Sequence, residues 1–338
     1  MYEPPDLPES RIAGHLSDAY GLPVRRLEFL PVGADIHTAV YRVETAQGSA
    51  YFLKLRRHFD PVTVLVPRFL SEQGVRQVAA PLRTRDGGLW AGGLEGYTAI
   101  LYPWIEGRSG FEQELTAEQW TTFGAALRGI HTSILPPELC ERIPAETFSP
   151  QFRRQVTRFQ AQVERQSFAD PLAARMAALM RSRRDEIRQL VARAGELAGA
   201  LAAGAPEKVL CHADMHAGNL LLGASGALTI VDWDDCVLAP KERDLMFIGG
   251  GVGGTWNRPG EAEWFYRGYG AAEINPTALT YYRCERIVAD IAAFCEEILL
   301  TTGEGADRER LFEYFASQFS PGAVIDIARR TDPKLAAG

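Results

Sequence analysis

The segment His212-Ala-Asp214-Met-His-Ala-Gly-Asn219 sets a carboxylate and an amide oxygen five residues apart, and Val231-Asp232-Trp233-Asp234 follows soon after. Phosphoryl transfer is the chemistry such a set can carry. It asks for little covalent help from a protein. It needs a carboxylate that orients the attacking hydroxyl and accepts its proton, and oxygen ligands that hold magnesium on the phosphates. An Asp and an Asn on one loop can face the nucleophile and the metal respectively. A second Asp, arriving at the end of the next hairpin, can complete the metal site. The order and spacing follow the pattern H-x-D-x-x-x-x-N and then D-x-[GD] of kinases.

A third component lies upstream. Tyr51-Phe52-Leu53-Lys54-Leu55 is a strand-like run whose only charge is Lys54. A lysine there is costly to bury unpaired and must find an anion. In a kinase that anion is the α/β-phosphate of the nucleotide. A surface lysine on an edge strand is the plainer alternative, but the downstream residues in the right order favour the phosphate role. The rival chemistry is zinc hydrolysis, since His212 and His216 lie four apart around Asp214. It lacks a third convergent ligand set. His212 reads better as a buried histidine bonded to the loop backbone, and His216 stays open between loop packing and substrate contact.

Around this centre stand further candidates. Asp234, Asp235, Glu242 and Asp244 cluster just after Asp232. Asp234 or Asp235 could bind a diamine, whereas Asp244 is expected to brace the helix near Lys241 by pairing with arginines. The run Gly249–Gly254 has no Lys-Ser/Thr after it, so close packing or a turn is expected rather than a phosphate loop. Arg283, Glu285, Arg286 and Asp290 interrupt an apolar helix and read as buried ion pairs. Trp256, Trp264, Phe265, Tyr266 and Tyr269 read as core.

The elements that must position these residues divide by kind. A helix over 10–20 precedes strands at Val24–Val32, Thr38–Thr45 and Ala50–Leu55, the last two joined by a turn at Gln47-Gly48. A helix is expected over 61–73, with Pro61 at home in its first turn and Pro67 kinking its interior. Strands at Leu89–Leu94 and Tyr97–Tyr102 lead into Pro103-Trp104-Ile105. Thr116–Ile134 opens with the capping box Thr116-x-x-Gln119. Helical stretches follow at 151–166 and 170–203. A strand pair, Asn219–Leu222 and Ala227–Val231, turns at Ala224-Ser225-Gly226, and the chain is helical again from Lys241. The expectation is an α+β, bilobal, protein-kinase-like fold. Its N-terminal nucleotide-binding lobe spans 1–103, as an antiparallel sheet with a helix. Its larger helical, catalytic and substrate-binding lobe spans 104–338.

Composition narrows the classes. With 338 residues, 46% hydrophobic and 23% charged, the chain can bury a large core. Thirty-six basic against 43 acidic residues give a net charge of -7, which disfavours nucleic acid and suits a small cationic substrate. No apolar run is long enough to span a membrane and no signal peptide is evident, so a cytoplasmic location is expected; a monomeric state is a separate expectation. The five cysteines form no CxxC pair and are expected to be reduced.

At these residues the chain resembles the aminoglycoside phosphotransferase family. Within it, Cys211–Asn219, the segment from Ala239 to Gly253 and the segment from Tyr281 to Asp290 are similar to the spectinomycin phosphotransferases. The resemblance implies an ATP- and magnesium-dependent enzyme that phosphorylates the 9-hydroxyl of spectinomycin, an aminocyclitol, giving antibiotic resistance. By position it implies Asp214 as base, Asn219 and Asp232 as magnesium ligands and Lys54 as the phosphate lysine. It also implies a hinge in which the Pro103 carbonyl and the Ile105 N–H read adenine. Two features depart from the kinase pattern: Pro31–His37 holds a single glycine, and the helix at 61–73 has no clear glutamate for Lys54. Asp60, Glu72 or the nucleotide itself could serve. Alternatives are a kinase for choline, homoserine or an aminosugar, and a nucleotide-binding pseudokinase acting as an interaction module.

Overall fold

A computed structural model describes residues 4–31, 37–224, 226–301 and 306–332. The loop at 32–36 and Ser225 in the expected turn lie outside the described residues. In chain order the first elements are α1 (Glu9–Tyr20), β1 (Val24–Leu30), β2 (Thr38–Thr45), β3 (Ala50–Arg56), α2 (Val62–Glu72), β4 (Ala91–Leu94), β5 (Tyr97–Pro103) and β6 (Arg108–Ser109). Then come α3 (Ala117–His131), α4 (Pro137–Cys140), α5 (Gln151–Arg165), α6 (Pro171–Ser182), α7 (Arg184–Gly204) and β7 (Val209–Cys211). After the 3₁₀ turn Ala217–Asn219 follow β8 (Leu220–Leu222), β9 (Leu228–Ile230) and β10 (Val237–Ala239). The last part holds α8 (Glu242–Leu245), the turn Val252–Gly254, α9 (Glu261–Tyr269), α10 (Pro276–Leu299), α11 (Ala306–Ser317) and α12 (Val324–Thr331).

The chain forms two compact units. The first comprises Met1–Leu115, Ser133–Ile143 and Gly218–Cys236; the second comprises Thr116–Thr132, Pro144–Ala217 and Val237–Gly338. In the first unit an antiparallel sheet runs in the order β1-β2-β3-β5-β4. Strand periodicity sorts β3 into two faces. Leu53 and Leu55 join Ile12 and Leu16 of α1 in an apolar cluster, which leaves Lys54 and Arg56 on the other face. There Lys54 stands opposite Val40 of β2 and Ile100 of β5. Ile100 also packs against Val64 of α2, a helix that carries Pro67 inside and runs on to Glu72. A small sheet, β6-β8-β9, completes the unit.

The second unit is helical, with the short pair β7-β10 added. Its core gathers the apolar sides of α5, α6, α7 and α10, with Phe315, Phe319 and Ile325 closing over them. The capping box of α3 forms as expected, Thr116 Oγ1 accepting from the Gln119 N–H at 3.2 Å and Gln119 Oε1 from the Thr116 N–H at 3.0 Å. Helices α3 and α9 meet backbone to backbone at glycines. A Cβ on Gly124 would strike the Phe265 carbonyl oxygen, and one on Gly268 the Thr121 carbonyl oxygen. The expected helix over 170–203 is two helices, broken at Arg183 (φ -104, ψ 14) without a proline or glycine to mark the place. No described helix is long and apolar enough to cross a membrane.

Candidate active site

In the first unit, alternation along β3 and the D-x-D segment after β9 bring four charged side chains together. Lys54 Nζ lies 2.6 Å from Asp232 Oδ1 and 3.5 Å from Asp234 Oδ2, and Arg56 donates to Asp234 Oδ1 at 2.7 Å. Burial alone would lower the Lys54 pKa, but the two aspartates outweigh it and hold the ammonium above its ordinary range. Between the carboxylates Trp233 is buried, which turns Asp232 and Asp234 outward. Asp232 adopts φ 64, a left-handed conformation costing about 1–2 kcal/mol for a residue with a side chain. Strain of that kind concentrates at functional sites.

Asn219 ends the 3₁₀ turn, is buried, and its backbone carbonyl accepts from the Val231 N–H at 3.0 Å, so it sits beside the segment bearing Asp232. Neither residue proposed from sequence as the lysine's acidic partner serves. Asp60 Oδ1 accepts from the Val62 N–H at 2.9 Å, and Glu72 pairs with Arg68 at 2.7 Å and Arg83 at 2.9 Å. Pro103 is the last residue of β5, opposite Tyr51, and Ile105 follows it outside the strand. Tyr102, just before, has its phenol pushed up to about 12 by burial and stays neutral. Asp235 is exposed.

In the second unit, Asp214 sits on a loop anchored from beneath. Asp244, fully buried, accepts from the His212 N–H at 2.9 Å and the Ala213 N–H at 2.7 Å. These bonds offset the strain of Ala213, whose φ is 70. Burial would raise the Asp244 pKa, but His131 at 3.0 Å and the loop N–H groups keep it below its ordinary value. Asp244 therefore braces the loop before Asp214 through His131 and backbone groups, not a helix through arginines. His212 Nδ1 accepts from the Asp214 N–H at 3.3 Å, the backbone role expected of it.

Asp214 itself is held at both oxygens. Arg286 of α10 donates to Oδ1 at 2.5 Å, and His216 Nε2 lies 3.3 Å from Oδ2. Arg286 also pairs with Asp290, one turn on, at 3.0 Å. Burial works to raise the Asp214 pKa, but His216 and Arg286 overcome it and hold the carboxyl far below the usual range. Asp290 goes the other way: burial raises it despite Arg286. Glu285 forms the expected buried ion pair, with Arg153 at 3.0 Å, whereas Arg283 donates to the Ile248 carbonyl at 3.0 Å instead of to an acid. Of the aromatic group, Trp256, Phe265 and Tyr269 are core and Trp264 and Tyr266 partly buried. Gly249, Gly251, Gly253 and Gly254 all take positive φ, consistent with a tight turn.

Sequence reasoning missed the role of Arg56 and, while the ion pair expected of Arg286 forms with Asp290, it missed the bond from Arg286 to Asp214. Both had a signal: Arg56 is two residues from Lys54 on one strand face, and Arg286 is four from Asp290 on one helix face. The donors at Asn219 and Asp232 are an amide and a carboxylate oxygen, a set that fits magnesium and not a softer metal. Among the described residues, the group of metal-ligand type is His131, Cys211 and Asp244. There His131 and Asp244 bond each other, and burial raises the Cys211 thiol well above its ordinary value, so it is a poor ligand.

Comparison with known proteins fits this chemistry. Residues 28–282 match the model of the phosphotransferase enzyme family. No curated protein sequence matches. A solved spectinomycin phosphotransferase, APH(9)-Ia in complex with ADP and spectinomycin, is 35% identical over 95% of this chain and 98% of its own, with a TM-score of 0.89. Its AMP-bound structure gives a TM-score of 0.85 at the same identity, over 94% of this chain and 97% of that one. An aminoglycoside phosphotransferase from Alicyclobacillus acidocaldarius is 16% identical over 99% of this chain and 97% of its own, with a TM-score of 0.64, and shares the fold. The chain belongs to the phosphotransferase enzyme family, and is a small-molecule phosphotransferase of the aminoglycoside phosphotransferase type.

Proposed function

We propose that this enzyme transfers the γ-phosphate of ATP to the 9-hydroxyl of spectinomycin, and thereby gives resistance to that antibiotic. The observation that carries the nucleotide half of this reading is the Lys54–Asp232 pair at 2.6 Å. It unites, in one compact unit, the ammonium suited to phosphates and a carboxylate suited to their metal. The acceptor is supported by the 35% identity, over 95% of the chain, to an enzyme solved with ADP and spectinomycin. An ATP donor also suits a cytoplasmic enzyme.

The residues divide the work. Lys54 holds the α/β-phosphates, and the Pro103 carbonyl and Ile105 N–H take the adenine edge. Asn219 and Asp232 would hold magnesium, which when bound neutralises charge on the phosphates. Asp214 orients the acceptor hydroxyl through its carboxylate oxygens, fixed by Arg286 and His216. So acidic a carboxylate is a weak base, and it accepts the proton late, once the hydroxyl oxygen has begun to bond to phosphorus. Acidic side chains around such a site suit the two methylamino groups of spectinomycin better than a neutral sugar.

The test is mass spectrometry of spectinomycin incubated with enzyme and MgATP, beside choline, homoserine and an aminosugar. A single added phosphoryl group on spectinomycin is expected. Transfer to one of the others but not to spectinomycin overturns the choice of acceptor. Asp214→Ala is expected to keep nucleotide affinity and lose roughly 10²–10⁴-fold in turnover; unchanged turnover removes Asp214 from its role.

A further inference from the structure

Kinases of this fold pair the phosphate lysine with a glutamate on the helix that follows its strand. In this chain that helix is α2, and the acids at its two ends are engaged elsewhere: Asp60, just before it, with the Val62 N–H, and Glu72 with Arg68 and Arg83. The lysine turns instead to the D-x-D segment. Asp232 is its nearer partner at 2.6 Å, but Asp232 is also the carboxylate suited to magnesium. A divalent cation there competes with the ammonium for the same oxygens. Asp234 is under no such demand. One of its oxygens faces Lys54 at 3.5 Å and the other takes Arg56 at 2.7 Å.

Three local features make that arrangement durable. Lys54 and Arg56 are alternate residues of β3 and project from the same sheet face. Both are largely buried, their side chains 15% and 13% exposed. Trp233, only 3% exposed, anchors the segment between the two aspartates. A carboxylate clamped by one buried cation can hold the other in place while the first carboxylate changes partners.

We propose that Asp234, clamped by Arg56, is the positioning carboxylate of Lys54, replacing the helix glutamate, and is not a contact for the acceptor's ammonium groups. This rests on the nucleotide role given to Lys54. Asp234 and Arg56 act through the lysine and touch neither phosphate nor acceptor.

The test uses the full chain with Asp234→Asn, Arg56→Gln, the double variant and Lys54→Ala. ADP affinity is read by calorimetry with and without magnesium, which needs no turnover, and KM is read separately for ATP and spectinomycin. Asp234→Asn is expected to weaken ADP about tenfold and lower kcat while leaving the spectinomycin KM unchanged. Arg56→Gln moves ADP affinity the same way by less, and the double variant is no worse than Asp234→Asn alone, because the two act as one unit. Asp234→Glu restores part of the affinity. A raised spectinomycin KM with intact ADP affinity overturns the inference, as do losses that simply add in the double variant. Lys54→Ala with unaltered ADP affinity instead removes the nucleotide reading of Lys54, so the two failures are distinguishable. Should Asp234→Asn not accumulate in folded form, Arg56→Gln carries the same readout.

Discussion

Asp214 receives a guanidinium on one oxygen and an imidazole on the other, and that arrangement makes its ionisation insensitive to pH. Its folded pKa is depressed, so the stabilisation from these partners is present above the ordinary carboxylate range and fades only as pH falls through the lower folded value. Removing Arg286 leaves a carboxyl whose burial pushes the opposite way. Arg286→Ala is therefore expected to move the acid limb of kcat upward in pH, and Arg286→Lys to do so less; kcat measured from pH 5 to 8 checks it. The motif around Asp214 was legible because its chemistry demands particular residue types at fixed spacing. Its arginine was not, because Arg286 lies 72 residues away along the chain and only the packing of α10 brings it to Asp214.

At the scale of elements, the loop before Asp214 depends on one buried carboxylate and the helices around it on two glycines. Asp244→Asn keeps an oxygen acceptor but loses the charge that draws on the His212 and Ala213 N–H groups. It is expected to lower stability by about 1–3 kcal/mol, the scale of a buried polar group left poorly matched, and to lower kcat as well. Denaturant unfolding and turnover on one preparation test both. Gly268→Ala forces a methyl into the Thr121 carbonyl and is expected to cost about 1–3 kcal/mol or more as helices α3 and α9 part; thermal melting reads it directly. Most elements were visible in sequence. The bounds of β2 coincide with the expected strand, since β-branched and aromatic residues run between Thr38 and Thr45. The break at Arg183 left no sign because Arg-Ser-Arg-Arg suits a helix well, and only tertiary packing ends α6 there. The pair β7-β10 escaped notice because three-residue strands carry no periodicity.

For the whole molecule, binding and folding are linked. A ligand that binds only the folded chain adds stability as RT ln(1 + [L]/Kd), about 2.7 kcal/mol at a concentration 100 times Kd. MgATP is accordingly expected to raise Tm by several degrees. Asp232→Asn, which removes one proposed metal ligand, should make that rise insensitive to added magnesium, as differential scanning fluorimetry with and without chelator would reveal. The bilobal character was readable from a strand-rich beginning and a helix-rich remainder. The way the chain is shared between the units was not, because no composition shift marks 116–132 or 218–236 as belonging with distant segments.

That sharing has a consequence for biosynthesis. The first unit takes its final pieces from Gly218–Cys236, including strands β8 and β9, of which β8 is bonded to the early strand β6. A nascent chain that has delivered its first 103 residues from the ribosome holds every strand of the five-stranded sheet, but not the residues that give Lys54 its carboxylates. Until Asp232 and Asp234 emerge, the Lys54 ammonium lacks the two carboxylates that hold it in the folded unit. The emerging protein must therefore wait through more than half of its own translation before its first unit is complete.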